Sequence, residues 1–153
     1  MRYEYIEPFV NTTMKVLDNV MQTDITKGAV SLVMDDEIGG DISIIVRVKG
    51  DSEGRIILNM HTATALNISN IMFGSHSDTL TSFGMDSIEE LANMIAGNAT
   101  SALNDLGFDF KVYPPLIIKK NDYRAKAARI EAFQIPLFSE YGEITMNVAL
   151  RTN

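Results

Sequence analysis

Asp86-Ser-Ile-Glu-Glu-Leu-Ala-Asn-Met-Ile-Ala-Gly-Asn98 is the stretch around which the chain is organised. Read at about 100° per residue, it divides into two faces. Ile88, Leu91, Ala92 and Ile95, continued by Ala99, Ala102 and Leu103, gather on one side as a broad apolar band able to cover a core. Asp86, Glu90, Asn93 and Gly97 follow one another at steps of four, three and four and stack into a narrow stripe on the other side. A surface helix is polar outside whatever it does, so each member of the stripe needs an ordinary explanation weighed against a functional one. Asp86 follows Gly84-Met85 and precedes Glu89 by three, which fits an N-cap with a capping-box partner. Glu90, near the start of a helix beginning there, is favoured by the helix dipole. Asn93 and Gly97 have no such account. Both are poor choices inside a helix, Gly by about 1 kcal/mol against Ala, and neither points at the core. A flat polar ledge, with no side chain at position 97 to obstruct an approaching molecule, accounts for both.

Composition bounds what such a ledge could serve. With 153 residues and 46% hydrophobic content, the chain suits one domain over residues 1–153, able to bury about 70% of its unfolded surface. There is no cysteine, which removes disulfide and thiol chemistry. Neither an apolar signal region at the N-terminus nor a run of about 20 apolar residues is present, so the expectation is cytoplasmic residence without membrane association. A net charge of −7 argues against nucleic acid as a partner. Lys119, Lys120, Arg124, Lys126 and Arg129 make a local basic cluster, read as a solvated turn. His61 and His76 lack ligand spacing to any carboxylate and read as surface or helix-cap residues. Asp35-Asp36-Glu37 reads as a turn, and the nine Met residues as core gap-fillers.

From Ile6 to Met21, Phe9, Val10, Val16, Leu17 and Val20 recur at helical spacing, with Pro8 tolerable in the first turn. Three extended segments follow, 28–34, 41–49 and 55–60, rich in Val and Ile and separated by glycine turns; they read as an antiparallel meander. Residues 62–73 read as a shorter helix, 74–84 as a loose connection, and 86–106 as the helix quoted above, stopped by Gly107. The last third reads as strands again, 109–119, 127–138 and 143–151, the first interrupted by Pro114-Pro115 and therefore placed at a rim. The predicted architecture is an α+β two-layer sandwich. Six mainly antiparallel strands carry long helices on one face, in a pseudo-repeat of one helix plus three strands.

The spacing Asp86-x-x-x-Glu90-x-x-Asn93-x-x-x-Gly97, continued by Asn98-Ala99, resembles the signature helix of the CheC/CheX/FliY phosphatases, which remove phosphate from the aspartyl-phosphate of the chemotaxis regulator CheY. The resemblance covers essentially the whole chain, and the family pattern also places a proline beyond its Asn, near Pro114-Pro115. The first helix lacks the motif: Glu7 and Asn11 are wrongly spaced, and Asp18-Asn19 has no matching Glu. That points to the single-site CheX branch rather than to the two-site branches. The resemblance implies Glu90 and Asn93 as catalytic residues, with Asp86, Glu90 and Gly97 touching the partner. The implied partner is a phosphorylated CheY-like response regulator, which would hold Mg2+ itself, leaving this protein without a cofactor of its own. It also implies a homodimer. Two rival readings remain: a non-catalytic receiver-binding adaptor, disfavoured because an adaptor has no need of Asn at that position, and a self-assembling structural domain with a merely solvated stripe.

Overall fold

In a computed structural model of the chain, residues 3, 6–35, 40–50, 52–119 and 130–152 are described. Helix α1 (Glu7–Met21) carries Pro8 in its first turn, where a missing N–H leaves no bond unmade. There follow β1 (Thr26–Lys27), β2 (Ser31–Asp35), β3 (Ile42–Lys49) and β4 (Ser52–Met60), then α2 (Thr62–Phe73) and α3 (Ser82–Asp105), and last β5 (Lys111–Val112), β6 (Leu116–Lys119), β7 (Ile130–Ser139) and β8 (Gly142–Thr152). Among the described residues no helix is long and apolar enough to cross a membrane.

All described strands join one antiparallel sheet, ordered β1-β7-β8-β4-β3-β5, with β2 also lying along β7 and β6 along β3. The six expected strands are therefore eight, because the two outer segments are each broken in two. Pro114-Pro115 separates β5 from β6, as residues that cannot donate to a ladder must. On the other rim, residues 28–30 leave the strand, and the Gly28 N–H still donates to the Pro136 carbonyl at 2.8 Å.

The meander expected in the first half is only partly present. β3 and β4 form a hairpin in register Ile42↔Met60, but β2 does not lie beside β3. It crosses to the second half and pairs with β7 (Leu32↔Phe133), while β6 of the second half takes the place beside β3 (Ser43↔Ile118). The halves thus exchange their outer strands, and β4 meets β8 along the middle of the sheet (Ile56↔Val148). Apolar matching favours the place of β6: Ile118 completes a small cluster with Ile45 and Ile57 on the sheet's reverse face. Local turn signals carry no information about that pairing.

Alternation along the central strands sends Ile44, Val46, Leu58, Met146 and Val148 to the other face, where they pack with Phe9 and Leu17 of α1, Ile68 of α2, and Ile88, Leu91 and Ile95 of α3. Helices on one face of an antiparallel sheet is the predicted layering. The basic cluster lies outside the described residues apart from Lys119, and so does Asp36-Glu37. His61 stands at the N-cap of α2, where Asp41 Oδ2 accepts from Thr62 N at 2.9 Å.

Candidate functional site

The helix that carries the stripe begins a full turn earlier than its sequence indicates. Thr81 is the N-cap, its Oγ1 accepting from Gly84 N at 3.3 Å. Gly84, which reads as a loop residue, is instead buried where α3 passes close to α2. A Cβ there would stand 2.6 Å from Leu80 Cδ1 and 2.9 Å from Ser69 Oγ. At the far end the helix closes as expected: Gly107 takes φ +86°, its N–H donates to Asn104 O, and Phe108 N donates to Leu103 O, both at 3.0 Å.

The earlier start removes two ordinary explanations. Asp86 now lies in the second turn and is not the N-cap, so the capping-box pairing with Glu89 does not occur. Glu90 lies beyond the first turn, where the dipole's influence has faded. The apolar band is otherwise as read: Ile88, Leu91, Ala92, Ile95, Ala99 and Leu103 are buried, with Ala102 half-buried.

Asp86, Glu90, Asn93 and Gly97 are all exposed, on one side of α3, over a length of ~16 Å at 1.5 Å per residue. Among the described residues, Asp86, Glu90 and Asn93 make no hydrogen bond or ion pair. Their neighbours differ. Asn98 Nδ2 donates to Met94 O at 2.7 Å, Thr100 Oγ1 to Ala96 O at 2.9 Å and Ser101 Oγ to Gly97 O at 3.3 Å, so these polar groups are turned back on the helix. Asn93 keeps both its donor and its acceptor for an incoming group. Around Gly97 an added Cβ would meet nothing within 4 Å, so nothing inside the described molecule requires glycine there.

The charge around the stripe has one sign. From His61 to Phe110 the chain contains Asp78, Asp86, Glu89, Glu90, Asp105 and Asp109 and no Lys or Arg. Among the described residues no group of three or more His, Asp or Glu is placed to hold a metal ion. The stripe also has a fifth member, which its spacing discloses once the true helix start is known. Phe83, three residues before Asp86, continues the same line once residues 82–85 are helical, and the misread Gly84 is what concealed it.

Comparison with known proteins shows what the chain as a whole is similar to. The sequence model of the chemotaxis phosphatase CheX matches residues 42–138, a span that contains all of α3. The CheY-P phosphatase CheX of Thermotoga maritima is 26% identical over 137 residues, 88% of each chain. A chain in the CheX–CheY–BeF3–Mg2+ complex of Borrelia burgdorferi is 28% identical, with a TM-score of 0.79 over 98% of this chain and 99% of that one. CheX of Desulfovibrio desulfuricans shares the fold, with a TM-score of 0.82 over 97% and 99% of the two chains at 24% identity. Matched by the family's sequence model over more than half its length, the chain belongs to the CheX family of chemotaxis phosphatases.

Proposed function

We infer that this protein is a phosphatase that hydrolyses the aspartyl-phosphate of a CheY-like response regulator and so ends its signal. The observation that carries this reading is membership of a chemotaxis phosphatase family that includes a relative named for CheY-P. The stripe on α3 supports it, with one unengaged amide beside one unengaged carboxylate, both in the open.

In this reading Asn93 positions the water. Its amide accepts from one O–H and directs the oxygen in line with the phosphorus, on the side opposite the acyl oxygen. A bond forms between water oxygen and phosphorus, the P–O bond to the receiver's aspartate breaks, the electron pair leaves on the carboxylate, and the water's protons stay with the phosphate. The acyl phosphate is already reactive, so position matters more than basicity. Glu90 pairs with a lysine of the receiver and sets the register that brings Asn93 over the phosphoryl group. Asp86 and Gly97 touch the receiver on either side. Because α2 and α3 contain no Lys or Arg, neutralisation of the phosphoryl charge falls to the receiver's own lysine and to the Mg2+ held by its acidic residues. The protein needs no cofactor of its own.

The deciding experiment is phosphate release from CheY-like receivers of the same cell, each phosphorylated beforehand. Faster release than spontaneous decay from at least one of them is expected. Binding without release would promote the adaptor reading instead.

The reading extends to a cytoplasmic homodimer. The rim strands β2 and β6 offer edges that can pair across a two-fold axis, and Leu32 and Met34 of β2 are exposed beside one of them. Sedimentation at micromolar concentration should show a species twice the 16.9 kDa chain mass. A single species at the monomer mass contradicts the dimer without touching the catalytic reading.

A further inference from the structure

At the end of α3 nearest Asp86, two phenylalanines stand in the open. Phe83 is 73% exposed and Phe73, the last residue of α2, is 55% exposed. Their rings meet edge to face, with centroids 6.4 Å apart at 89°. Single exposed apolar side chains need no explanation, but two in contact form a patch that water solvates at a cost. Among the described residues, each ring's aromatic partner is the other.

We propose that Phe73 and Phe83 form an apolar anchor on which the phosphorylated receiver docks, at the near end of the Asp86–Gly97 stripe; this rests on the function inferred above. Three observations commit the patch to that occupant. The first is continuity. Phe83, Asp86, Glu90, Asn93 and Gly97 advance by three, four, three and four, so the anchor and the proposed catalytic pair occupy one line on one helix, with Phe83 ~10 Å from Glu90 along the axis. A globular receiver that reached Asp86 as well as Glu90, Asn93 and Gly97 would have Phe83 one helical turn from its contact.

The second is charge. The segment bearing the anchor and the stripe has six acidic residues and no Lys or Arg. It suits a partner that brings a cation to the stripe, as the receiver does in the reading above with the lysine that pairs with Glu90. A second copy of this chain would bring the same acids against themselves across a two-fold axis, a repulsive arrangement. The third is rigidity. Asn70 clasps the connection between the helices: its Oδ1 accepts from Ser75 Oγ at 2.9 Å and from Ser77 N at 3.1 Å, and its Nδ2 donates to Ser77 O at 3.1 Å. Gly84, with no room for a side chain, seats α3 against Ser69 of α2. Both rings are thus held at the ends of fixed helices, and little freedom is lost when they are covered.

The test uses the full chain and Phe83→Ala, Phe83→Leu and Phe73→Ala, with Leu106→Ala as a control at the other end of α3. Each is titrated against CheY-like receivers of the same cell activated with Mg2+ and beryllofluoride, and each is assayed for hydrolysis of the phosphorylated receiver. Phe83→Ala and Phe73→Ala should raise Kd and KM roughly tenfold or more, with kcat retained and with unchanged circular dichroism and sedimentation. Phe83→Leu should recover much of the loss, and Leu106→Ala should behave as the parent. Parental Kd and KM in both alanine variants overturn the anchor and leave the phosphatase reading standing. Dissociation of an oligomer with KM unchanged also overturns it, by giving the patch to a second copy. A parent that binds the activated receiver, more tightly than Phe83→Ala does, but releases no phosphate removes the phosphatase reading and keeps the anchor. A parent that neither binds nor hydrolyses any receiver overturns both.

Discussion

Helices α1 and α3 pack side by side on the same face of the sheet, each at the head of one half of the chain, and their chemistry differs. Their buried sides are equivalent: Phe9, Val10, Val16 and Leu17 in one, Ile88, Leu91, Ile95 and Leu103 in the other. Their exposed sides are not. α1 shows Glu7, Asn11, Lys15 and Asp18, a mixed-charge line in which Asn stands four residues after Glu. α3 shows Asp86, Glu90, Asn93 and Gly97, without a cation and with Asn three residues after Glu. The core needs one apolar face from each helix and is indifferent to what the other face carries. A position in the fold therefore offers a site without supplying one.

The largest effect that could break this contrast is expected at Asn93. In Asn93→Ala, kcat should fall about 10²-fold, the usual scale for one positioned polar group, with KM almost unchanged. Ala is the better helix former, so circular dichroism should match the parent. A dephosphorylation time course beside a binding titration separates the two roles; full activity would return α3 to the ordinary surface that α1 presents. Glu90→Ala comes next. KM should rise about tenfold, the cost of one lost charge pair at an interface. Added salt should weaken the parent's binding more than the variant's, since one attraction is screened. An unaltered salt dependence would remove Glu90 from docking.

Gly97→Ala sharpens the contrast further, because stability and function should move in opposite directions. The helix gains about 1 kcal/mol, seen as a higher Tm, while the added methyl group, which meets nothing among the described residues, should raise KM. A higher Tm with KM unchanged would mean that no partner approaches position 97. The smallest effect, none, is expected for Asn11→Ala in α1. If its kcat fell as far as that of Asn93→Ala, the choice of helix would be wrong.

Much of this was legible in the sequence because it is set locally. Helical phase alone separates Ile88, Leu91 and Ile95 from Glu90 and Asn93, and it needs no knowledge of what covers either side. Gly107 after the last turn and Pro114-Pro115 within a strand act through backbone conformations available to one or two residues. The unusual pairing of Asn93 with Gly97 on a solvent face is likewise visible before any packing is known.

What the sequence left undetermined concerns contacts between distant segments. Gly84 reads as a breaker because glycine is a poor helix former, and only the approach of Ser69 and Leu80 shows that it is there for closeness. With it went the true start at Thr81, the position of Asp86 in the helix, and the alignment of Phe83 with the stripe. β2 and β6 carry no mark of which strand they will join, since backbone hydrogen bonding is the same for every partner; for β6 the burial of Ile118 beside Ile45 and Ile57 favours its place. Phe73 and Phe83 become neighbours only because Asn70 folds the intervening turn. The sequence by itself thus determined the elements and the two faces of α3, through periodicities that each segment obeys alone. The exchange of outer strands and the aromatic pair beside the stripe were decided by the tertiary structure, because they depend on side chains that meet only once the sheet has closed.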